Sequence, residues 1–186
     1  MTKSLLCIAL YGILVSCNNN KPADTHAVVR DTLPNTGTSI PKQAEFADAR
    51  YVDMGKSALA QFAAGDIDGW MNNYADSAMY RWSSGDSLKG KAAIAAYWKE
   101  RRMKVIDSIE VANDIWIPLQ VNTPQRGPDI PGVWLLNWHE VHVKYKNGKR
   151  LMFWVHTDTH YNSADKVDLV IQYIDRAPIN KALGVQ

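Results

Sequence analysis

An α+β fold, with helices in the first part of the chain and a sheet in the second, is predicted by two patterns. Apolar residues recur at helical spacing over residues 46–63 and again at Ile94, Tyr97 and Trp98, which gives helices with one apolar side each. Beyond Ser108 the spacing changes to period two. Two long alternating runs, 133–145 and 150–161, flank Lys146-Asn147-Gly148-Lys149, the signature of a β-hairpin. A chain of 186 residues, 46% hydrophobic and 22% charged, suits one core plus a modest extension.

The extension is N-terminal. Lys3 precedes an apolar run over 5–15 and then Leu14-Val15-Ser16-Cys17. That run is too short to span a bilayer as a mature helix, and the small Ser16 meets the needs of signal cleavage. The segment resembles a bacterial lipoprotein signal, so residues 1–16 are expected to be removed and Cys17 acylated. Residues 17–43 then form a tether. They are polar and broken by Pro22, Pro34, Gly37 and Pro41, and roughly 25 coil residues reach about 25 to 30 Å. Asn18 and Asn19 stand where inner-membrane retention uses Asp, so the resemblance implies a lipid-anchored protein of the cell envelope, at the outer membrane.

Cys7 would leave with the signal and Cys17 would carry lipid. The remaining domain, 44–186, then has no thiol for a disulfide, a thiolate nucleophile or a zinc–cysteine site. With 21 Lys and Arg against 19 Asp and Glu, and Lys3 removed, charge is nearly balanced. No basic run points to nucleic acid, and no cofactor is expected.

Within the domain, the first helix carries Phe46, Ala49, Val52, Met54, Leu59, Phe62 and Ala63 and ends at Gly65. A second, short helix starts at Asp66, read as its N-terminal cap, and carries Trp70, Met71 and Tyr74. Residues 78–82 alternate as a strand, with Met79 and Arg81 on one side and Tyr80 and Trp82 on the other. Ser84-Gly85-Asp86 turns the chain, and Lys89-Gly90-Lys91 leads into a third helix whose broad face holds Ile94, Tyr97, Trp98 and Arg101. Residues 108–121 form the next strand, which Pro118 makes an edge or a bulge. Residues 123–132, with three prolines and two glycines, form a long loop able to rim a pocket.

Register decides which hairpin side chains meet. A two-residue turn on Asn147-Gly148 pairs Tyr145 with Arg150, whereas a type I turn with Gly148 as a left-handed bulge pairs Tyr145 with Lys149. In the bulged register one face holds Val133, Leu135, Asn137, His139, Val141 and Val143 with Leu151, Phe153, Val155, Thr157, Thr159 and Tyr161. That face is apolar at the turn end and polar at the other. The opposite face carries Trp134, Trp138 and Trp154 among Glu140, His142, His156, Asp158 and His160. The shorter turn leaves both faces mixed, so patterning favours the bulge. The first face is expected to lie under the helices, its polar end lining the pocket mouth. If the faces are reversed, the Trp, His and Asp residues line the pocket instead.

The succession of helix, strand, turn and helix over 65–100, Gly-Asp-Ile-Asp-Gly-Trp-Met-Asn-Asn-Tyr-Ala-Asp-Ser-Ala-Met-Tyr-Arg-Trp and then Leu-Lys-Gly-Lys-Ala-Ala-Ile-Ala-Ala-Tyr-Trp, resembles the SnoaL-like branch of the nuclear transport factor 2-like superfamily. The run Asp165-Lys166-Val167 to Asp175 is similar to that group's closing strand, without the Gly that usually follows its Asp. The resemblance covers about 44–183. It implies a cone-shaped α+β barrel with three N-terminal helices on a strongly curved sheet, one pocket, and a homodimer formed through the outer face of the sheet, for which Trp134, Trp138 and Trp154 would be anchors.

Seven Trp and eight Tyr against three Phe suit a pocket wall, because indole and phenol combine apolar area with a donor. The expected ligand is a small apolar or aromatic molecule, held by Tyr80, Trp82, Trp98, Trp116, Asn137, His139, Thr157 and Tyr173. A fold of this kind hosts several chemistries, so two alternatives stay open. An acid–base enzyme of isomerase, cyclase or dehydratase type would draw its base from His139 or Asp158, and more weakly Asp66 or Asp175. A structural or interaction domain would fill its pocket with its own Trp side chains. His156-x-Asp158-x-His160 places three metal-capable groups on one side of a strand, but spaced nearly 7 Å per two residues they do not close a small coordination sphere unaided. No metal is assigned.

Overall fold

A computed structural model describes residues 42–123 and 130–185. Its elements run β1 (Ala44–Phe46), α1 (Arg50–Ala64), α2 (Ile67–Met71), β2 (Tyr74–Trp82), β3 (Ser87–Lys89), α3 (Lys91–Lys104), β4 (Ile106–Val121), β5 (Gly132–Tyr145), β6 (Arg150–Tyr161), β7 (Val167–Tyr173) and α4 (Ala177–Leu183). One sheet takes the order β1-β4-β5-β6-β7-β2-β3. Neighbours are antiparallel except β2 and β7, which are parallel. Four helices on a mixed seven-stranded sheet make the expected α+β cone. The signal sequence, Cys17 and nearly all of the tether lie outside the described residues.

Helix boundaries follow from local chemistry. Gly65 ends α1 at φ 83°, a left-handed conformation that costs glycine nothing. Asp66 then caps α2 by accepting from the Gly69 amide at 2.8 Å, the structural role the sequence suggested. Tyr74 belongs to β2 and not to α2. The turn before β7 lacks glycine because Asp165 itself adopts φ 55°. Its carboxylate is gripped by Arg50 at 2.8 and 3.0 Å and by the Tyr51 hydroxyl at 2.7 Å.

The hairpin takes the bulged register. Tyr145 donates to the Lys149 carbonyl, Gly148 donates back to Tyr145, both at 2.9 Å, and Gly148 sits at φ 85°. His139 therefore faces Val155, and Trp138 faces His156. Leu135, Asn137, His139, Val141, Val143 and Val155 are all buried, which places this face beneath the helices. Pro118 pairs with Leu135 while its carbonyl accepts from Ala47 on the outer side. Carbonyl and absent N–H point the same way along a strand, so proline removes no bond to β5.

The helices seal the concave face with an aromatic cluster. Phe62, Trp70 and Trp98 meet edge-on or tilted at 4.8 to 6.2 Å, and Tyr80 and Tyr97 extend the contact. Such geometry suits the ring quadrupoles.

Candidate functional site

Two adjoining cavities lie over the concave side of the hairpin, and a separate surface recess of about 490 Å³ lies between α2, the start of β2 and α3. The larger of the two cavities, about 360 Å³, sits over the apolar turn end of the hairpin, with Val141, Val143, Phe153 and Val155 as its floor and α3 and α4 as its cover. The smaller, about 100 Å³, lies under α1 against Asn137, Thr157, Thr159 and Tyr161. Leu59, Phe62, His139 and Gln172 line both, so the two adjoin across these side chains. Polar residues 137, 157, 159 and 161 thus line the narrow compartment. The main volume is at the opposite, apolar end, where exposed Asn180 and Val185 mark its meeting with solvent.

The predicted ligand-binding residues divide accordingly. Trp82 and Trp98 wall the larger cavity, Tyr80, Trp116, Asn137 and Thr157 the smaller, and His139 stands between them. Tyr173 does not join them. It lies on the convex face, 44% exposed and stacked on His156, because the alternation of β7 points Gln172 inward in its place. Asp158 is on that same convex face, 2.8 Å from His156, and reaches neither cavity. Asp66 is spent on its cap, and the Asp175 carboxylate accepts from the Ala177 amide at 2.9 Å.

His139 owes its state to its neighbours. The Asn137 amide nitrogen donates to the carbonyls of Ile115 and Trp138 at 3.1 and 3.3 Å. Its oxygen is thereby turned to His139 Nδ1, 2.5 Å away. Only an N–H can face that oxygen, so Nδ1 carries the proton and Nε2 is left as an acceptor. Burial pushes the imidazole down from 6.5 to about 4, slightly countered by Asp114. It is neutral at pH 7. Burial likewise raises the Tyr161 hydroxyl to about 12 and Tyr80 further, so both remain neutral donors.

No Asp or Glu lines either cavity among the described residues. The charged groups at the larger one are Arg101 and Arg176, and Arg176 is held by Asp86 at 2.5 Å. Arg101 was visible in sequence as part of the Tyr97 and Trp98 stripe, but its place at a cavity was not. Helix α4 brings Ile179 and Leu183 to the cover, a placement that no spacing in the sequence shows.

On the convex face, His156 lies between Trp138 and Tyr173, with centroids 4.2 and 5.2 Å away. His160 turns elsewhere, to Asp168 at 2.6 Å and the Pro131 carbonyl at 3.0 Å. The three groups of the His156-x-Asp158-x-His160 motif therefore do not converge. Of the three expected dimer anchors, Trp134 is 6% exposed and donates to the Ile130 carbonyl, Trp138 is covered by His156, and Trp154 is 48% exposed.

Solved structures share this fold at low sequence identity. A candidate polyketide cyclase from Xanthomonas campestris pv. campestris superposes with a TM-score of 0.58 at 13% identity, covering 72% of this chain and 96% of its own. A protein with a ketosteroid isomerase-like fold from Catenulispora acidiphila, solved with trimethylamine, gives 0.52 at 10% over 72% and 94%. An LEH-like epoxide hydrolase from Mycobacterium tuberculosis gives 0.52 at 16% over 71% and 87%. The fold is thus the nuclear transport factor 2-like cone. No family model matches the chain, and no curated protein matches it by sequence.

Proposed function

We propose that this chain is an envelope lipoprotein, acylated at Cys17 and tethered to the outer membrane by residues 17–43, whose cone binds a small apolar or aromatic molecule. The observation that carries the binding reading is the larger cavity, walled by aliphatic and aromatic side chains, with a few polar groups and no carboxylate among its described lining. Ligand sites commonly combine such walls with a small number of orienting polar atoms. The protein works as a homodimer, a reading supported by the exposed Trp154 and Met152 on the convex face.

Native mass spectrometry with a ligand-shift melting screen tests the binding. One small molecule per chain that raises the melting temperature supports it; a chain that stays empty and unshifted across apolar and aromatic compounds counts against it. Acylation is read from the mass of the N-terminal peptide, which should carry lipid on Cys17 and lose it in Cys17→Ser.

The Asn137–His139 pair favours one second reading, an acid–base enzyme. A neutral imidazole with a fixed tautomer and Nε2 free of hydrogen bonds among the described residues can take a proton from bound substrate. Turnover abolished by His139→Ala, with the fold intact, would select this reading over simple binding.

A further inference from the structure

Two polar groups in the lining of the larger cavity, Arg101 and Tyr145, have side chains without partners among the described residues. Arg101, near the C-terminal end of α3, lines it with its guanidinium 5.6 Å from the Tyr97 ring centroid. Neighbouring carboxylates are otherwise engaged: Glu100 with Lys104, Asp107 with Lys144, Asp86 with Arg176. The Arg101 guanidinium makes no ion pair or hydrogen bond among the described residues; its backbone carbonyl accepts from the Val105 amide at 2.9 Å. Tyr145, also in the lining, is 2% exposed, and its hydroxyl makes no hydrogen bond among the described residues. Burial raises the pKa of its phenol while the charge of Arg101 draws it back, so the two groups share one electrostatic neighbourhood and the phenol is a neutral donor. A half-buried cation without an anion, beside a donor without an acceptor, in the lining of a hydrocarbon-walled space, is half of a recognition pair.

We propose that Arg101 and the Tyr145 hydroxyl form an anion-binding end of this cavity, and that its ligand is an apolar monocarboxylate whose hydrocarbon body lies over Val141, Val143, Phe153 and Val155. This rests on the cavity being a ligand site. The guanidinium and phenol donate to the carboxylate oxygens, and charge-assisted bonds of this type are the strong ones.

The test titrates the full-length chain with octanoate and with 1-octanol, following Trp fluorescence from Trp82 and Trp98 and heat by calorimetry. Octanoate is expected to bind about tenfold tighter than the alcohol, with the preference shrinking as salt is raised. Arg101→Gln should erase the preference and leave octanol affinity unchanged; Arg101→Lys should keep part of it. Equal affinity of the two ligands in the parent protein overturns the anion end and leaves the apolar site standing. Equal weakening of both ligands by Arg101→Gln also overturns it, since the residue then serves only the cavity's shape. If neither ligand binds, the head-group proposal falls together with the reading of the cavity as a site for molecules of this kind. Should Arg101→Gln fail to fold, the comparison in the parent protein decides alone.

Discussion

His139 shows how a single side chain ties stability to acidity. Its folded value, about 4, lies below its ordinary 6.5 because burial opposes the charged imidazolium. Between these values the unfolded chain binds more protons than the folded one, so stability is full above about pH 6.5 and falls as pH drops toward 4. The shift corresponds to about 3 kcal/mol. Urea melts at several pH values should show that loss in the parent protein and a flatter profile in His139→Gln; equal slopes would remove His139 as the cause. Gly55 makes a different demand. A Cβ there would stand 2.4 Å from Leu135 Cδ2 and 2.7 Å from the Trp116 ring, so α1 can approach the sheet only because this residue has no side chain. Gly55→Val should destabilise by about 1 to 3 kcal/mol through overpacking, read as a lower melting temperature. Gly55→Ala should cost less, since alanine's helix preference offsets part of the clash by about 1 kcal/mol.

Among the elements, the legible ones were those with a period to read. The stripe of α1 from Val52 to Ala63, the alternation of β2, and the pairing of β5 with β6 each follow from side-chain spacing, and the hairpin register follows because only the bulged turn separates apolar from polar positions; Phe46, expected at the head of that stripe, stands instead in β1 and is 79% exposed. The short strands β1 and β3, three residues each, are too brief to show alternation and exist through their partners' free edges. Helix α4 is one of seven residues, with Pro178 in its first turn and Gly184 at its end. Those signals mark a helix, yet nothing local says that Ile179 will cover a cavity between α3 and the hairpin. The docking rests on tertiary contact: Ile179 is buried in one cluster with Val141, Val155 and Tyr145, and the Asn147 amide donates to the Ala182 carbonyl at 3.0 Å. Ile179→Asp would bury an unpaired charge and should release α4. Hydrogen exchange should then accelerate over residues 177–185 while β5 and β6 stay protected, and octanoate affinity should fall. Unchanged exchange in α4 would show that the helix is held by other contacts.

At the scale of the molecule, one face of the sheet is closed by helices and the other is partly bare. The convex face is not uniformly available, which corrects the expectation of three Trp anchors. Trp134 is consumed by Ile130 and His160, and Trp138 by the stack on His156, so contact with a second copy would centre on Trp154 with Met152 and Tyr173, which are 48%, 58% and 44% exposed. Sequence could not separate these three indoles, because all stand at the same parity of their strands; only the neighbours across the sheet and the 130–132 backbone distinguish them. A standard interface takes about 800 Å² from each partner, and interface cores favour aromatic residues and Met while excluding isolated charges. Trp154→Glu should therefore split a dimer without disturbing the concave site, since Trp154 points away from both cavities. Sedimentation equilibrium should give a dimer for the parent protein and a monomer for the variant, with octanoate binding per chain preserved and the melting temperature losing its dependence on protein concentration. A parent protein that sediments as a monomer throughout would end the homodimer proposal. A variant that stays dimeric would move the interface to another surface.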